Sequence, residues 1–79
     1  MEERDLIIFA FRYCLFRRTY ASTMMASFLQ DKWSELEDHD KEKIVEEIRE
    51  EIHREEPAPG FDYPTWVEFL TKINEKIYP

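Results

Sequence analysis

Apolar residues recur at three- and four-residue steps near the start of the chain, at Leu6, Phe9, Ala10, Tyr13 and Phe16. That is helix spacing, and the run is too long and too continuous for a strand. Ile7, Ile8, Phe11, Cys14 and Leu15 fill the remaining sides, so the helix predicted over residues 3–18 is apolar nearly all round. Such a helix is normally covered by others, which predicts a central first helix. A second helix is predicted over 22–33, capped by Thr19 or Ser22. Its broad stripe is Met24, Met25, Phe28, Leu29 and Trp33. The Met24–Met25 pair reads as core filler, with an adaptable binding surface as the alternative.

The pattern then changes. From Asp38 or Asp40 to Arg54 a narrow stripe of Ile44, Val45, Ile48 and Ile52 runs through charged residues. This predicts an amphipathic surface helix with a solvated outer face, supported by Glu50 and Arg54 four residues apart. EEPAPGFDYP follows as a stiff loop, because each proline restricts itself and the residue before it. Pro64 suits the first position of a last helix, whose stripe is Trp66, Phe69, Leu70, Ile73 and Ile77. The fold class expected is therefore all-α. It is a compact bundle of about four helices around a central apolar first helix, with residues 1–79 as one domain.

Size and charge refine this. A chain of 79 residues buries a modest fraction of its surface. Its 15% aromatic content partly offsets that, and leftover apolar surface makes a homodimer an alternative to a monomer. The net charge of −7 disfavours direct nucleic-acid binding, which depends on cations neutralising phosphates. Its distribution is uneven. From Leu6 to Trp33 four cations (Arg12, Arg17, Arg18, Lys32) oppose Asp31, a balance of +3. From Ser34 to Gly60 four cations oppose eleven acids, a balance of −7. The single cysteine excludes an internal disulfide framework and suits a reducing compartment. The acidic MEERD start is wrong for a secretory or mitochondrial leader. LIIFAF is too short to span a bilayer, and Arg12 interrupts its continuation. A cytoplasmic protein without membrane association is expected.

Residues that could carry chemistry are few. His39 lies between Asp38 and Asp40, where an Asp–His couple or metal ligand is conceivable; a helix-start loop with a capping Asp and a solvated His explains it as well. Glu50 and His53 share the E-x-x-H spacing of di-iron bundles, which need two such motifs and two further Glu. Cys14 reads as a small buried residue, since a nucleophilic Cys needs a partner that lowers its thiol pKa. A Gly-rich phosphate loop, a nucleophile elbow and paired zinc ligands are all missing from the sequence. No catalytic residue, no cofactor and no metal is expected.

FRYCLFRRTY, residues 11–20, is the unusual stretch, with three arginines in the most apolar part of the chain. At about 100° per residue, Ile8 and Phe16 each fall within about 40° of Arg12 on the helix surface. An Arg among apolar neighbours on a central helix is at least partly buried and requires a partner. Two readings remain open. Either Arg12 pairs with a carboxylate, on the third helix or at Glu68, or Arg12, Tyr13, Arg17, Arg18 and Tyr20 converge on an anion or nucleotide. Arg17 and Arg18 also suit the C-terminal end of a helix dipole.

The same stretch resembles the F-R-Y-A-L-x-R-x-T-Y opening of small phage and prophage proteins. The matching residues are Phe11, Arg12, Tyr13, Leu15, Arg17, Thr19 and Tyr20. Cys14 and Phe16 depart from the Ala and small residue of that pattern. The likeness continues more loosely through a Trp near the end of the second helix (Trp33), the charged helix KIVEEIREEI and a late Trp (Trp66). It implies a viral accessory protein of the host cytoplasm and transfers no catalytic residue. The leading expectation is a non-enzymatic binder that inhibits a host protein, such as a nucleic-acid-binding component of bacterial defence in the manner of an anti-CRISPR. It would act through the acidic face of the third helix, at Glu46, Glu47, Glu50 and Glu51, which could occupy a cationic channel. The alternatives are a small-ligand or nucleotide binder using the Arg–Tyr stretch, and a homo-oligomeric regulatory adaptor.

Overall fold

The computed structural model describes residues 3–17, 20–56 and 58–73. Among these the chain forms four α-helices, α1 (Glu3–Leu15), α2 (Tyr20–Lys32), α3 (Asp38–Ile52) and α4 (Tyr63–Lys72), with a 3-10 turn over Trp33–Glu35. The described residues contain no strand. The all-α reading is therefore correct, and the radius of gyration of 11.7 Å matches the roughly 12 Å of a compact domain of this length.

Local chemistry sets the helix ends. α4 starts where Asp62 accepts the Thr65 backbone N–H at 3.4 Å and the Thr65 hydroxyl at 2.8 Å. Pro64 lies in the first turn, where its missing N–H costs nothing. Gly60 enters this turn at φ 86°, a left-handed conformation that glycine tolerates best. α3 begins differently from expectation. Glu37 occupies the N-cap position without a side-chain cap, and Asp38 and Asp40 lie inside the first turn, where they favour the positive end of the dipole.

The helices pack in the order α1–α2–α4–α3 around the core, with α1 beside α2 and α3, and α4 beside the same two. α1 and α4 face each other across the middle through Phe11 and Trp66, whose rings meet edge to face at 5.6 Å. Trp66 and Phe69 continue the aromatic chain at 5.5 Å, as do Phe69 and Trp33. Leu15, Met25, Leu29, Ile44, Ile48 and Leu70 close the core around them.

Two expectations about packing need correction. α1 occupies a corner of the bundle, not its centre. It buries Phe11 and Leu15, while Leu6 (53%), Phe9 (65%) and Tyr13 (58%) stay exposed. Three partners cannot surround a helix that sits beside two. On α2 the inward side is Ser22, Met25, Ala26 and Leu29; Met24 and Phe28 point outward. Thr19 and Ile77 lie outside the described residues.

Candidate functional site

The three arginines of FRYCLFRRTY have separate fates. Arg12 projects from the flank of α1 towards α3, and its Nε donates to Glu47 Oε1 at 2.9 Å. Its side chain is 49% exposed and that of Glu47 26%. The expected carboxylate partner on the third helix is present, but the expected burial of Arg12 is not. A corner position for α1 leaves the flank open to water, so the pair joins two helices at the surface. Arg17 lies over the Tyr13 ring at 4.6 Å. Tyr20 is exposed at the start of α2. Arg18 lies outside the described residues. Tyr13 and Arg17 thus come together, whereas Arg12 is directed to α3 and does not join them.

The end of α1 is held by a residue assigned another task from sequence. Ser22 is fully buried within the first turn of α2. Its hydroxyl reaches back to the carbonyl oxygens of Cys14, at 3.0 Å, and of Arg17. It therefore serves the carbonyl end of the preceding helix. Cys14, a half-buried free thiol, also accepts the Arg17 N–H at its carbonyl.

The four glutamates expected on the outer face of α3 divide into two pairs. Glu46 and Glu50 are exposed. Glu47 is turned to Arg12, and Glu51 is only 6% exposed. Arg54 Nε lies 2.9 Å from Glu51 Oε1 and offsets the buried charge. Helix geometry explains the division, because Glu51 falls within about 20° of Ile44 on the helix surface and so shares its inward face. Asp38 and Glu42, which the sequence reading did not include, extend the outer row. Asp38, Glu42, Glu46 and Glu50 are all exposed and follow one another at four-residue steps, rising about 6 Å each. They line an open depression with Lys41, Val45, Arg49 and His53. The same helix is fixed from behind by Ile44 and Ile48, both fully buried.

His39 and His53 are exposed on α3 and just beyond it. Among the described residues no group of three or more His, Cys, Asp and Glu could hold a metal ion. None of their helices is long and apolar enough to cross a membrane. No protein-family model matches the chain, and no curated protein or solved structure is significantly similar to it.

Proposed function

We propose that the chain is a phage-encoded, non-enzymatic inhibitor that binds a host protein through the outer face of α3. Its target is a nucleic-acid-binding component of bacterial defence. The observation that carries this is the row of exposed carboxylates Asp38, Glu42, Glu46 and Glu50 on a helix anchored from behind by the core. A cationic groove built for a polyanion attracts such a row, and charge complementarity steers the encounter. Because the row is carried by a packed helix, little ordering entropy is lost on binding. Glu47 and Glu51 are not part of this surface, since Arg12 and Arg54 hold them. No step of chemistry is required of the protein. Occupying the groove excludes the nucleic acid.

Recovery of partners from host cells with the tagged protein tests this. The wild-type chain should retain a host protein with a basic nucleic-acid groove, and Glu42→Lys/Glu46→Lys/Glu50→Lys should lose it. Equal retention by both would overturn the proposal.

A further inference from the structure

The outer side of α1 carries a feature that the acidic face does not use. Leu6, Phe9, Tyr13 and Phe16 are exposed at 53, 65, 58 and 40% and follow one another at three- and four-residue steps. They form an apolar stripe opposite the buried Phe11 and Leu15. On α2, which packs beside α1, Tyr20, Met24 and Phe28 are exposed at 76, 55 and 41%. Taking about 200 Å² for a large side chain, these seven leave about 780 Å² exposed, close to the roughly 800 Å² that one partner gives to a stable interface. Isolated exposed apolar residues are ordinary, but four in succession along one side of α1 and its exit turn are not.

Charge selects the occupant. An acid, Asp5, stands at one end of the stripe and a cation, Arg17, at the other, both exposed. Arg12, the one charge between them, is turned to Glu47. We infer that this face binds a second copy of the chain, α1 against α1 in antiparallel orientation about a two-fold axis near Phe11. In that arrangement Leu6 meets the partner's Phe16 and Phe9 meets the partner's Tyr13. Asp5 meets the partner's Arg17, and symmetry makes each contact twice. A two-fold interface demands such a self-complementary surface, and a parallel pairing would set Asp5 against Asp5 and Arg17 against Arg17. The acidic row of α3 stays outside this contact, so the dimer would present two inhibitory faces.

Sedimentation equilibrium of the whole chain tests the inference. The wild type should be a dimer that dissociates on dilution. Phe9→Glu should raise the dimer Kd at least about thirtyfold, with the helical circular dichroism unchanged. Asp5→Arg and Arg17→Asp should each raise it about tenfold. The double variant Asp5→Arg/Arg17→Asp should return it to near the wild-type value, because the ion pairs re-form in reverse. A wild-type monomer at every concentration, a dimer indifferent to Phe9→Glu, or a double swap no tighter than the single ones would overturn the antiparallel α1 interface.

Discussion

Ser22 shows how one small side chain can decide a junction between helices. Its fully buried hydroxyl donates to carbonyls at and just beyond the end of α1, and a substitution that removes it loses that buried hydrogen bond. Ser22→Ala should therefore lower stability by about 1–2 kcal/mol in urea unfolding. A loss within the roughly 0.5 kcal/mol typical of surface substitutions would contradict this role. Arg12 and Glu47 are a milder case, because both remain partly in water. A double-mutant cycle to Ala should give a coupling of about 0.5–1 kcal/mol, reduced by salt. The carboxylate partner of Arg12 was legible in the sequence, since an Arg between Ile8 and Phe16 needs one. Its exposure was not legible, because it depends on which side of α1 the other helices choose. The burial of Glu51 was within reach of helix geometry, given its angle to Ile44, but a carboxylate among charged neighbours reads as solvated by default.

At the scale of elements, the periodicity of apolar residues located the starts of all four helices and the ends of the first three to within a few residues. The narrow stripe of α3 was the clearest, as Ile44, Val45 and Ile48 are all buried. The breadth of the α1 and α2 stripes was the source of error. A helix apolar on all sides can be central in a monomer or can keep one apolar side for a partner, and a sequence pattern is the same in both. The loop before α4 is more constrained than prolines alone imply. A Cβ on Gly60 would collide with the Phe16 backbone oxygen, in addition to the cost of φ 86°. Gly60→Ala should lower stability by more than about 1 kcal/mol, seen as a fall in Tm. An unchanged Tm would mean that the loop does not press on the end of α1. Asp62→Ala should cost about 1 kcal/mol through loss of the α4 cap.

For the whole molecule, the uneven charge becomes a division of labour between surfaces. The acids of the middle segment supply both the outer row of α3 and Glu47 and Glu51, which pair with Arg12 and Arg54. Charge reversal at Glu42, Glu46 and Glu50 should therefore leave stability within about 0.5 kcal/mol of wild type, because these side chains are exposed. Reversal at Glu51 should destabilise the fold, because it sets a buried cation beside Arg54. The candidate surface was thus half legible: Glu46 and Glu50 were read correctly as outward, while Asp38 and Glu42 emerge only once the row is seen as a continuous face. The most direct test of the central claim is displacement of a labelled nucleic acid from the recovered host partner. The wild-type chain should release the nucleic acid, less effectively as salt rises, and Glu42→Lys/Glu46→Lys/Glu50→Lys should not. Nucleic acid that stays bound while the wild-type chain also binds would contradict occupation of the groove by the acidic face.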